Sequence, residues 1–186
     1  MTTHSHRLTL VLVTVAAALL LASSAVAADI TATATVNAGS LSLSTSAAPS
    51  VSATLDGTDK TPTYSLPMTV TDATGSGSGW NATITSTVFS TGGASPKTLS
   101  TSASSVTTVS SACAGGTCTN PTNSITYPLA VPAAAVAPAA VKLFNAAANT
   151  GMGSFTVTPT VQVSIPANSY AGTYTSTVTV AAVSGP

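Results

Sequence analysis

The sequence predicts an all-β protein built as an antiparallel β-sandwich, and three observations point there. Residues 155–183 carry two runs in which apolar and hydroxyl side chains alternate. Ser and Thr fill 62 of the 186 positions (27 and 35) while only 4 % of residues are charged, and abundant Thr and Val favour strands over helices. The one Ala-rich stretch, 124–149, is broken by Pro128, Pro132 and Pro138, and each proline removes a helical hydrogen bond and clashes with the preceding turn. The length suits one domain with its own core.

In the first alternating run Phe155, Val157, Pro159, Val161, Val163 and Ile165 occupy the odd positions, with Thr156, Thr158, Thr160, Gln162 and Ser164 between them. Side chains on a strand point alternately to opposite faces, so this order makes one apolar and one hydroxyl face. The second run repeats the device, with Tyr174, Val178, Val180 and Ala182 on one parity and Thr173, Thr175, Thr177 and Thr179 on the other. Between the runs, Pro166 to Gly172 hold the residue types of a turn or corner. The expectation is a terminal hairpin of two long neighbouring strands.

At the other end, residues 1–28 read as a separate secretory signal peptide. His4, His6 and Arg7 precede an apolar run from Leu8 to Leu21, and Ala25-Val26-Ala27 supplies small residues at the cleavage spacing. The apolar run is shorter than the roughly 20 residues a membrane span needs. No Cys follows it and no paired Arg precedes it, which speaks against lipid anchoring and the twin-Arg route. Cleavage is expected near Ala27 or Ala28, leaving 29–186 as the single all-β domain with no membrane span.

Within that domain Ile30, Ala32, Ala34 and Val36 alternate with threonines and predict a first strand. Leu41 and Leu43 predict a second, and Val51, Ala53 and Leu55 a third. Asp56-Gly57-Thr58-Asp59 reads as a tight turn. Residues 64–70 predict a fourth strand in which Pro67 implies an edge or a bulge. Gly75, Gly77 and Gly79, separated by serines, form a loop that delivers Trp80, the sole Trp, to a strand carrying Ala82, Ile84 and Val88.

From 90 to 123 the composition turns to Ser, Thr, Gly and Ala, with isolated apolar points at Leu99, Val106 and Val109. Inside it, Cys113 and Cys118 are expected to pair, since two cysteines in a secreted chain oxidise and Gly115-Gly116 permits the turn. A thioredoxin-type redox pair needs a shorter spacing and a helix start. Residues 141–147 allow a short strand or a helical turn, and the strand-rich context favours the strand.

The signal peptide holds both His residues and the only Arg, so residues 29–186 contain no His, Arg or Glu. Their charges are Asp29, Asp56, Asp59, Asp72, Lys60, Lys97 and Lys142, a net charge of −1. Nucleic acid is excluded as a partner because phosphate backbones are bound by clustered Lys and Arg. Anionic membrane surfaces are excluded on the same ground. Acyl-transfer triads lack their base, and glycosidase chemistry needs two carboxyls at a set separation, whereas Asp56, Asp59 and Asp72 sit in or beside turns. The glycine loop lacks the spacing and helix of a phosphate-binding motif. No cofactor and no metal is expected, the one alternative being calcium held by these Asp and loop carbonyls.

Taken together, Val70-Thr71-Asp72, the glycine loop with Gly79-Trp80-Asn81-Ala82, Gly151-Met152-Gly153, Tyr170-Ala171-Gly172-Thr173-Tyr174 and the closing stretch to Pro186 resemble the WxL-domain family of secreted bacterial surface proteins. The resemblance implies an Ig-like all-β domain that holds noncovalently to the cell wall, with two Trp-x-Leu motifs implicated in attachment. Here Ala82 stands at the Leu position of the first motif, and Val180 and Ala182 replace Trp and Leu in the second.

Trp80 has two readings: a core plug, because Trp buries more apolar area than any other side chain, or an exposed platform for a sugar ring. On the second reading the resemblance makes Trp80, Asn81, Tyr170 and Tyr174 the candidate binding residues, and peptidoglycan or a surface glycan the partner. The competing function is a structural subunit or adhesin of a surface layer or fibre. That protein would act on other surface proteins through hydroxyl-covered sheets and unpaired strand edges.

Overall fold

A computed structural model of the chain describes residues 28–186. The expected signal peptide lies outside them, apart from its last residue. The chain divides into Met1–Thr35 and Val36–Pro186. Of the first unit, 28–35 are exposed and unpaired. The strand expected over 30–36 is therefore absent, with Ile30 and Val36 both more than nine-tenths exposed. Alternation alone does not make a strand, since a strand also needs a partner and these residues pair with no other described segment.

The second unit is all-β. Its strands are β1 (Leu41–Ser44), β2 (Thr63–Ser65), β3 (Met68–Asp72), β4 (Trp80–Thr87), β5 (Ser104–Gly115), β6 (Leu129–Ala130), β7 (Ala133–Ala134), β8 (Val141–Ala146), β9 (Gly153–Val163) and β10 (Val178–Ser184). One sheet runs β1-β3-β9-β5-β6, with β2 also on β9; the other runs β10-β4-β7, with β8 also on β4. All pairings are antiparallel except the short β4–β7 pair.

β9 is the spine of the first sheet, and its alternation is as the sequence predicts. Phe155, Val157, Pro159, Val161 and Val163 are buried while Thr156, Thr158, Thr160 and Gln162 are not. Each full burial of such an apolar side chain is worth about 1.5–3 kcal/mol. Phe155, Val157 and Val161 pack with Met68 and Val70 of β3, Trp80, Ala82 and Ile84 of β4, and Leu143 and Phe144 of β8. A smaller cluster of Leu99, Ala103 and Val163 continues the core toward Tyr64, Phe89, Ile165 and Tyr174.

Four expectations are corrected. β9 and β10 are not hairpin neighbours: β10 pairs with β4 in the opposite sheet, because β2 and β3 hold one flank of β9 and β5 the other. Residues 166–177 form a corner between the sheets. Residues 51–55 form no strand and are mostly exposed. The strand expected over 64–70 is split at Leu66-Pro67 into β2 and β3, both on β9. Finally, β5 is the longest strand, with 12 residues, in a region the sequence marked only by scattered apolar points. Its register shifts between Val106 and Thr108, and this β-bulge absorbs the odd spacing of Val106 and Val109 that hid the period of two.

Candidate functional site

Trp80 opens β4 directly after Gly79, whose φ is 72°. A side chain at Gly79 would collide with the Ala146 carbonyl, so only glycine lets the two backbones approach this closely. The Trp80 side chain has no exposed surface. Its ring sits 5.8 Å from that of Phe144, and its Nε1 donates to the Gly151 carbonyl at 2.9 Å. A buried indole needs such a partner for its N–H. Here Trp80 is the core plug, and it offers no face to a sugar ring. Asn81 is 5 % exposed, and its Nδ2 donates to the Gly185 carbonyl at 2.7 Å, tying β4 to the residue after β10.

The positions that match the two Trp-x-Leu motifs lie side by side. Ala182 faces Ala82, and Val180 faces Ile84, across the β4–β10 ladder. Two alanines thus form one cross-strand pair.

Tyr170 and Tyr174 lie elsewhere, on the corner between β9 and β10. Ser169 N–H donates to the Pro166 carbonyl, and Asp59 accepts from the Ala167 N–H at 2.8 Å, which holds the corner to the turn after residue 55. Tyr174 donates its hydroxyl to the Tyr170 carbonyl at 2.9 Å. Tyr170 is 64 % exposed, and the Lys97 ammonium stands 4.4 Å from its ring centre, a distance at which the cation is drawn to the ring's negative face.

The two tyrosines line a cleft of about 870 Å³ at the open end of the sandwich. Tyr64 of β2, Val163 of β9 and Val178 and Val180 of β10 line it, with Leu66, Phe89, Leu99 and Ile165 from connecting segments, and residues 47–53 run along it. Burial pushes the Tyr64 phenol above its ordinary pKa. The lining holds Ser and Thr hydroxyls beside the tyrosines and no carboxylate or imidazole, a set of groups suited to contact and hydrogen bonding.

The carboxylates are dispersed along the chain. Asp56 caps Thr58 and pairs with Lys60 at 2.7 Å, and the Lys60 ammonium, with Thr58, holds its carboxyl below the usual range. Asp72 caps Thr74. Among the described residues no three His, Cys, Asp or Glu converge as a metal site. Cys113 and Cys118 are joined in a disulfide, as expected of two cysteines in a secreted chain. Sequence reasoning did not connect Lys97, Tyr64 and Phe89 with the tyrosine pair, since nothing in their local sequence signals that proximity.

Among the described residues no helix is long and apolar enough to cross a membrane. No curated protein and no solved structure matches the chain. The family described as the WxL domain, surface cell wall-binding, matches residues 25–182. Given that match over most of its length, the chain belongs to the WxL family and is a secreted, cell-wall-associated surface protein of all-β fold.

Proposed function

We propose that this domain holds noncovalently to cell-wall peptidoglycan or glycan at the rim of the cleft, without catalysis, through Tyr170, Tyr174 and the surrounding hydroxyls. The observation that carries this reading is Tyr170 itself. A tyrosine 64 % exposed, yet anchored through its carbonyl to Tyr174 and through its ring to Lys97, is a preset aromatic surface beside an open apolar cleft. Aromatic faces and hydroxyls are suited to sugar rings, whose C–H faces are apolar and whose edges are polar. Trp80 and Asn81 contribute indirectly, by fixing β4 against β8 and the end of the chain.

With a net charge of −1 over residues 29–186, attachment rests little on ion pairing. Retention of the purified protein on isolated walls is therefore expected to survive an increase in salt to about 0.5 M, because salt screens only the charge term. Tyr170→Ala, folded as judged by its melting temperature, is expected to lose most of that retention. Release of the wild type by salt, or full retention of the Tyr170→Ala protein, counts against this site.

A further inference from the structure

β5 carries a long hydrogen-bonding edge that the fold leaves open. In an antiparallel ladder each residue turns its N–H and C=O to the same side, and successive residues alternate. On β9 the odd residues face β2 and β3: the Pro159 carbonyl accepts from Leu66 N–H, and Val163 N–H donates to Pro62. The even residues face β5, as the bond from Ser164 N–H to the Ala103 carbonyl shows. Thr108, Ser110 and Ala112 are registered with Thr160, Thr158 and Thr156, so their backbone groups point to β9. Those of Val109, Ser111 and Cys113 point outward. On that side, among the described residues, β6 pairs with Ser105 and Val106 alone, and residues 110–116 are exposed.

Open edges are normally protected by a charge, a proline or a bulge within the exposed stretch. Here the bulges lie at the two ends, at Val106/Thr108 and Cys113/Gly115, with a regular ladder between them. Residues 104–118 contain no charge and no proline. The Cys113–Cys118 disulfide closes the chain just beyond the strand, and Thr119 bonds back to Met152, so the strand's end is held in place.

We propose that this edge is a self-association surface on which two copies of the domain pair β5 to β5, antiparallel, about a twofold axis at Ser111. The strand is its own complement in that register. Val109 meets Cys113 of the partner subunit, Ser111 meets Ser111 of the partner subunit, and the outward groups bond in pairs, two hydrogen bonds to each, roughly six in all. The edge brings no like charges together, and a net charge of −1 over residues 29–186 sets little long-range repulsion between copies. The contact is a narrow one, so the dimer forms at high micromolar protein and not at trace concentration. The proposal uses neither Tyr170 nor the wall.

Sedimentation equilibrium of the purified protein tests it, together with amide hydrogen exchange at several concentrations. The expected result is a reversible dimer in which the Val109, Ser111 and Cys113 amides become protected as concentration rises, while Ser110 and Ala112 are protected throughout. Ser111→Lys and Ser111→Asp place like charges opposite one another, and each is expected to weaken the dimer roughly fivefold or more without lowering the melting temperature. An equal mixture of the two is expected to associate again, since Lys then faces Asp. The proposal is overturned by a wild type that stays monomeric at high micromolar concentration, or by a dimer that leaves the three outward amides unprotected. It is equally overturned by charge variants that associate like the wild type, or by a mixture that does not recover.

Discussion

Trp80 Nε1 donates to the carbonyl of Gly151 at 2.9 Å inside the core, linking the residue that opens β4 to the tight turn that precedes β9. Gly151 has a φ of 72°, and a Cβ there would lie 2.7 Å from that same nitrogen. The positive φ and the close approach both demand glycine. Trp80→Phe leaves a cavity and an unpaired carbonyl, and is expected to cost about 2–4 kcal/mol in urea unfolding. Gly151→Ala is expected to cost at least as much. Wild-type stability in both variants would remove this bond from the account of the core.

Val163 and Thr160 sit three residues apart on β9 but on opposite faces. Val163 is 1 % exposed in the smaller core cluster, whereas Thr160 is only partly buried. Val163→Asp is expected to cost several kcal/mol by burying an unpaired carboxylate, and Thr160→Asp far less. Equal melting temperatures would contradict the parity of the strand.

The Cys113–Cys118 disulfide closes a loop with a sequence separation of five. Loop-closure entropy grows only with the logarithm of loop length, so a loop this small contributes about 2 kcal/mol at most. Reduction, or the Cys113→Ser/Cys118→Ser double variant, is expected to shift the denaturation midpoint modestly and leave the circular dichroism spectrum unchanged. Global unfolding on reduction would show that the clip holds more than its own turn.

Alkaline pH acts through two phenols. Burial raises the pKa of both Tyr64 and Tyr127, and for Tyr127 a hydrogen bond from Asn123 opposes the shift. A raised folded-state pKa means that the stabilisation is complete below the unfolded tyrosine value of about 10 and is lost as pH rises through the folded value. The melting temperature is therefore expected to fall above about pH 10, and Tyr64→Phe to flatten that fall. Tyr127→Phe is a less clean probe, because the Tyr127 hydroxyl donates to the Leu143 carbonyl at 2.6 Å. A thermal melt series in alkaline buffers checks this, and an unchanged slope in Tyr64→Phe counts against burial as the cause.

What was legible in the sequence is what a strand declares locally. The alternation of Phe155 to Val163 named the buried face of β9, Leu41 and Leu43 marked β1, and the pair of cysteines around Gly115-Gly116 announced the clip. For Trp80 the sequence offered core or surface, and only the packing of Phe144 and Gly151 around it decided for the core. β5 was obscured because its bulge at Thr107 broke the period, and because an exposed strand does not need apolar residues. The family match covers residues 25–182, most of the chain.

Which strands are neighbours was not written in any one stretch. Polarity and period set the pitch of β9 and β10 and the face each buries, but pairing is a competition among all available edges. β9 had both flanks taken by β2, β3 and β5, so β10 turned the corner and paired with β4. That corner brings Tyr170 to Lys97 and to the rim of the cleft, and it places Val180 and Ala182 opposite Ile84 and Ala82. The sequence alone determined an all-β chain with almost no charge and little means of acid–base chemistry. Tertiary structure decided where its aromatic surface and its open edge lie, because both arise from contacts between segments far apart in the chain.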